Sequence, residues 1–112
     1  GEFAICQNDK IHLLKGNSFP IGGWQIEKNR VFKTITFDLQ KNAKLYFFSD
    51  GFKHQFNNDN TKKFTRKKLL NLLQSIKHDS MEDQKELIDF VFSTWKDNAS
   101  QTDDMSIIGI EF

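Results

Sequence analysis

Two short stretches of this chain are apolar at consecutive positions rather than at alternate ones. They are Ala43 to Ser49 (AKLYFFS) and Met105 to Phe112 (MSIIGIEF). Successive side chains of a strand point to opposite faces, so such segments carry apolar groups on both faces and belong near the middle of a covered sheet. Between them lie two stretches of helical period. In Thr65 to Lys77, Leu69, Leu72, Leu73 and Ile76 recur at i, i+3, i+4 and i+7, with Thr65 placed to cap the start. In Ser80 to Lys96, Leu87, Ile88, Val91, Phe92 and Trp95 form the apolar face. Ser80 and Asp83 approximate a capping box, and Glu82 and Asp83 suit the positive end of the helix dipole.

The first half reads as strands. Phe3-Ala4-Ile5-Cys6 and Ile11-His12-Leu13-Leu14 flank Asn8-Asp9, a hairpin signal. Gly16-Asn17-Ser18 breaks the pattern, and Phe19 to Trp24 reads as a loop. Val31 to Leu39 alternates loosely and is expected to be a further strand, with a turn at Gln40-Lys41-Asn42. The fold class is therefore α+β: a mostly antiparallel sheet with two helices packed on it. A chain of 112 residues has room for one domain. It starts within a strand, which suggests a portion of a larger domain, and Gly1-Glu2-Phe3 reads equally as a cloning remnant.

Composition removes several function classes. Sixteen Lys and Arg against fifteen Asp and Glu leave a net charge of +1, which argues against a dedicated nucleic-acid or polybasic membrane binder. No apolar run approaches the length of a membrane span, and no signal-peptide pattern opens the chain. The lone Cys6 cannot form an internal disulfide and fits a reducing compartment. One Cys and three scattered His cannot supply a zinc site. Phe occurs 12 times against a single Tyr, which favours a dense aromatic core.

Acids stand at the ends of both apolar strands: Asp50 after the first, Asp103 and Asp104 before the last. If those strands pair antiparallel, the carboxylates converge at one rim of the sheet. Converging carboxylates repel unless a cation or a shared proton compensates them, and oxygen-only donors suit Mg²⁺ or Mn²⁺. Gly51 would allow close backbone approach. On spacing alone the plainer reading, a turn at Asp50-Gly51 and a loop cap at Thr102-Asp103, is the stronger of the two.

The stretch Leu45-Tyr46-Phe47-Phe48-Ser49-Asp50-Gly51-Phe52, followed by Gln101-Thr102-Asp103-Asp104-Met105-Ser106-Ile107-Ile108-Gly109-Ile110, resembles the metal-dependent (PPM, protein phosphatase 2C-like) phosphatases. The similarity is greatest to the bacterial SpoIIE/RsbU-type subgroup. Pro20-Ile21-Gly22 matches a segment that tends to precede the first motif. Gln55-Phe56, Lys62-Lys63-Phe64 and Trp95-Lys96 look similar to sensor-coupled members.

The resemblance implies that Asp50 and Asp103 are metal-binding aspartates of a two-metal centre using Mn²⁺ or Mg²⁺. Gly51 and Asp104 support them, Asp104 where eukaryotic members carry Asn. It implies half of an α-β-β-α sandwich and hydrolysis of phosphoserine or phosphothreonine by a metal-activated water, without a phosphoenzyme. It further implies a cytoplasmic bacterial signalling protein with sensor or other domains upstream. Its partner would be a phosphorylated regulatory protein.

The complete family domain is about twice this length, and its first half supplies further metal-binding acids. Asp9 and Asp38 do not match them. The chain alone is thus expected to hold half a metal site, to be nearly inactive, and to self-associate through an uncovered apolar face. The rival expectation is a non-catalytic protein-binding module that keeps the fold.

Other features read more plainly. The basic run Lys62 to Lys68 is a solvated helix start rather than a nucleic-acid surface. His12, His54 and His78 are isolated, Ser49 lacks a nucleophile context, and Cys6 is a core thiol.

Overall fold

The computed structural model describes residues 2–16, 31–57, 59, 61–101 and 103–112. The expected loop Phe19 to Trp24, the Pro20-Ile21-Gly22 motif and Thr102 lie outside these residues. Seven elements follow in order: β1 (Glu2–Gln7), β2 (Lys10–Lys15), β3 (Lys44–Phe48), α1 (Gly51–His54), α2 (Arg66–Ile76), α3 (Met81–Lys96) and β4 (Ile107–Glu111).

The four strands form one antiparallel sheet in the order β2-β1-β3-β4. The β1–β2 hairpin turns on Asn8 and Asp9, whose φ values of 54° and 61° are those of a two-residue turn matched to strand twist. Asn and Asp tolerate this region better than other side-chain-bearing residues, which is why the pair reads as a turn in sequence.

Alternation sorts the sheet into two faces. Glu2, Ala4, Cys6, Lys44, Tyr46 and Phe48 share the face that carries the helices, following the register Ala4↔Tyr46 and Cys6↔Lys44. There, Ala4, Cys6 and Tyr46 meet Leu69, Leu73 and Ile76 of α2 and Ile88 and Phe92 of α3. Each large apolar side chain fully buried here contributes roughly 1.5–3 kcal/mol. Phe52, Phe64, Phe92 and Trp95 interlock edge to face, with centroids 4.6 Å (Phe52–Phe92), 4.7 Å (Phe64–Phe92) and 5.5 Å (Phe64–Trp95) apart. Three of the twelve phenylalanines form this cluster.

Both helices start where the caps place them: Thr65 Oγ1 accepts from Lys68 N–H at 3.2 Å and Ser80 Oγ from Asp83 N–H at 3.1 Å. Two polar ties fasten them to the sheet. Lys44 is buried and its Nζ donates to the Lys77 carbonyl just past α2. Tyr46 Oη donates to Gln84 Oε1 at 2.7 Å.

Three expectations need correction. Residues 31–40 carry no regular structure, and Val31, Phe32, Ile35, Phe37 and Leu39 are exposed. A strand exists only through its ladder, and residues 31–40 pair with neither edge strand of the sheet, β2 or β4. The segment is tied to β1 through a side chain instead, with Gln40 N–H donating to Gln7 Oε1 at 3.3 Å. Second, β3 and β4 are covered on one face only among the described residues. Phe47, Ile108 and Ile110 on the other face are 43%, 61% and 41% exposed. Third, Leu87 is exposed, and its expected place on the inner face of α3 is taken by the fully buried Gln84.

Candidate functional site

The register Phe48↔Ile107 ends the β3–β4 ladder, and the chain continues past it on both sides in contact. Ser49 N–H donates to the Ser106 carbonyl at 2.9 Å. Ser49 Oγ accepts from Ser106 N–H at 2.9 Å and donates to the Asp104 carbonyl at 3.1 Å. One hydroxyl therefore splices the end of β3 to the segment leading into β4.

Gly51 makes a second contact. A Cβ there would lie 2.1 Å from the Asp104 carbonyl oxygen and 2.8 Å from its carbon. That space admits glycine alone without displacement of backbone. Asp50 thus stands between two residues that each touch Asp104, and the acid ending β3 and the acids preceding β4 share one rim of the sheet.

The local backbone presents the carboxylates outward. Asp50 precedes α1 with φ −68° and ψ −15° and makes no capping hydrogen bond to it through its side chain. Asp103 Oδ1 accepts from Asp104 N–H at 2.8 Å, and Gln101 Nε2 donates to the Asp103 carbonyl at 3.0 Å. Asp50, Asp103 and Asp104 are all exposed. Behind them, buried Gln55 clamps the preceding loop: its Nε2 donates to the carbonyls of Ser100 at 3.0 Å and Phe56 at 3.1 Å.

The other acids considered in sequence lie elsewhere. Asp9 follows the end of β1 that pairs with Lys44, which is the opposite rim, and its Oδ1 lies 3.3 Å from His78 Nε2. Asp38 falls in the irregular segment 31–40. His12 and His54 are exposed. Among the described residues, no group of three His, Cys, Asp or Glu side chains is arranged to hold a metal ion. The oxygen donors at the rim suit a hard cation in kind, and two carboxylate-bearing segments fall short of a full ligand set in number.

Two residues at this rim escaped the sequence reading. Glu2 opens β1 beside the end of β3, and Arg66 opens α2. They form an ion pair, Nε to Oε2 at 3.3 Å, and share with Ser49 and Asp50 a small depression floored by Phe48, Phe52 and Leu69.

The fold is similar to a solved structure, the SiaA-PP2C domain of Pseudomonas aeruginosa, with a TM-score of 0.82 at 19% identity. That match covers 99% of this chain, which spans 42% of the other. No curated protein matches the chain. No helix among the described residues is long and apolar enough to cross a membrane. The model of one family, stage II sporulation protein E (SpoIIE), matches residues 3–112, nearly the whole sequence, and with the strand, acid and helix order described above the chain belongs to the SpoIIE family.

Proposed function

We propose that this chain is the part of a metal-dependent phosphoprotein phosphatase that contributes Asp50 and Asp103 as metal-binding carboxylates. The substrate would be phosphoserine or phosphothreonine on a regulatory protein in bacterial signalling. The observation that carries this reading is the splice at Ser49, Gly51 and Asp104, which fixes the two acidic segments at one rim. Family membership and the PP2C-like fold support it.

Mn²⁺ or Mg²⁺ bound there would supply an activated water and neutralise charge on the phosphoryl group. The chain's own part is positioning. Asp50 and Asp103 offer oxygen ligands on opposite sides of one junction. Gly51 keeps that junction narrow, and the Ser49 hydroxyl keeps it from opening. The paired hydrogen bonds hold the two backbone segments that carry the carboxylates together before any ligand binds, which limits reorganisation during reaction.

Hydrolysis of a phosphoserine peptide by the complete parent protein, with and without Mn²⁺, tests the reading. Metal-dependent turnover should fall at least about a hundredfold in Asp50→Ala and in Asp103→Ala, as expected when charge-stabilising groups are removed. Activity that survives the double substitution sinks the assignment. A second reading, a protein-binding module without catalysis, draws on the incomplete ligand set among the described residues. Absence of Mn²⁺-dependent turnover together with retained folding would favour it.

A further inference from the structure

We infer that Arg66 binds the substrate's phosphoryl group beside Asp50, an inference that rests on the phosphatase reading above. Three observations carry it. Arg66 lines the same small depression as Ser49 and Asp50, so its side chain stands at the rim where the acids converge. Among the described residues lining that depression, it carries the only positive charge. Its side chain is 35% exposed, reachable from solvent, while its partner Glu2 is only 15% exposed.

The chemistry follows from these positions. A phosphoryl dianion held next to two carboxylates is repelled unless cations offset them. A guanidinium offers five N–H donors in a planar fork that matches phosphate oxygens. The Glu2 carboxylate engages Nε, and one such contact leaves most of the fork for a second anion. Glu2 also lies 3.9 Å from Lys15 Nζ, so it is held from both sides and in turn fixes the arginine. The neighbouring cations are otherwise engaged: Lys68 Nζ lies 3.9 Å from the centre of the Trp95 ring and Lys63 Nζ 5.3 Å from that of Phe56.

Three measurements on the complete parent protein test this: KM and kcat for a phosphoserine peptide, calorimetric affinity for inorganic phosphate, and Mn²⁺ affinity without phosphate. Arg66→Met should raise both KM and the phosphate Kd about tenfold or more, the size of a lost charge-assisted contact. Mn²⁺ affinity should be unchanged. Arg66→Lys should recover part of the phosphate affinity, and it carries the comparison if the Met variant fails to fold. Unchanged KM and phosphate affinity overturn the inference, as does Mn²⁺ affinity that weakens in step with activity. The two readings fail separately. Turnover lost in Asp50→Ala yet intact in Arg66→Met removes only the arginine's role. Phosphate binding through Arg66 without any turnover removes only the phosphatase reading.

Discussion

A single methyl group decides how closely the two acidic segments approach. In an isolated short helix, Ala in place of Gly51 would be favoured by about 1 kcal/mol. Here the added Cβ would sit 2.1 Å from a backbone carbonyl oxygen, which cannot rotate aside as a side chain can. Overpacking of this kind costs about 1–3 kcal/mol, so the clash outweighs the propensity. Gly51→Ala should therefore destabilise the protein by about 1–2 kcal/mol in urea unfolding, and should weaken Mn²⁺ binding if the site stands where we propose. A stabilised Gly51→Ala variant would show that the Asp104 segment is not packed on residue 51. At the opposite extreme of reactivity is Cys6. It is buried, and burial pushes its thiol above the ordinary range, so it suits the core rather than redox chemistry.

Among the elements, α3 is tied to the sheet through one buried polar contact. Tyr46 is 1% exposed and donates to Gln84, whose Nε2 donates in turn to the Asp79 carbonyl at 3.0 Å. Burial, chiefly, pushes the Tyr46 hydroxyl from 10 up to about 12. The folded state holds the proton more tightly than the unfolded chain. The resulting stability is fully present below pH 10 and is lost as pH rises from 10 through about 12. Tyr46 is the only tyrosine, so phenolate absorbance reports its ionisation without ambiguity. Tyr46→Phe should cost about 1 kcal/mol near neutral pH and should flatten the alkaline loss relative to wild type. An alkaline profile identical in both proteins would show that this tie does not govern it.

The same contact shows why parts of the fold were legible in sequence and others were not. Period and caps are local, so α2 and α3 could be read to within a residue from Leu69, Leu73, Thr65 and Ser80. The burial of Gln84 and Gln55 depends on Tyr46 and Ser100, partners far along the chain that no local pattern announces. The loose alternation at Val31 to Leu39 describes what a strand needs on its faces and says nothing of a free edge to pair with. The convergence of Asp50 with Asp104 was readable because strand order implied it. Glu2 and Arg66 were not, since their meeting depends on where α2 crosses the sheet.

Among the described residues, the molecule is two layers with one side uncovered. Opposite the helices lie Phe3, Leu45, Phe47, Ile108 and Ile110, joined by the registers Phe3↔Phe47, Phe47↔Ile108 and Leu45↔Ile110. Phe3 and Phe47 stack with centroids 5.5 Å apart, and Phe37 meets Phe3 edge-on at 6.3 Å. These rings gain from one another yet leave Phe47 and Ile110 partly exposed and Ile108 mostly so. A contiguous apolar patch beside an edge strand is a surface that associates. The chain should bind an apolar dye such as anilinonaphthalene sulfonate and should sediment with concentration-dependent mass. Phe47→Glu with Ile108→Lys places opposite charges directly across β3 and β4, where such pairs are tolerated. Loss of the Phe3–Phe47 stack should lower folding stability by about 0.5–1.5 kcal/mol, while dye binding and self-association both fall. Dye binding that persists in the doubly charged variant would place the sticky surface elsewhere. A large loss of stability would mean that this face is already covered in solution.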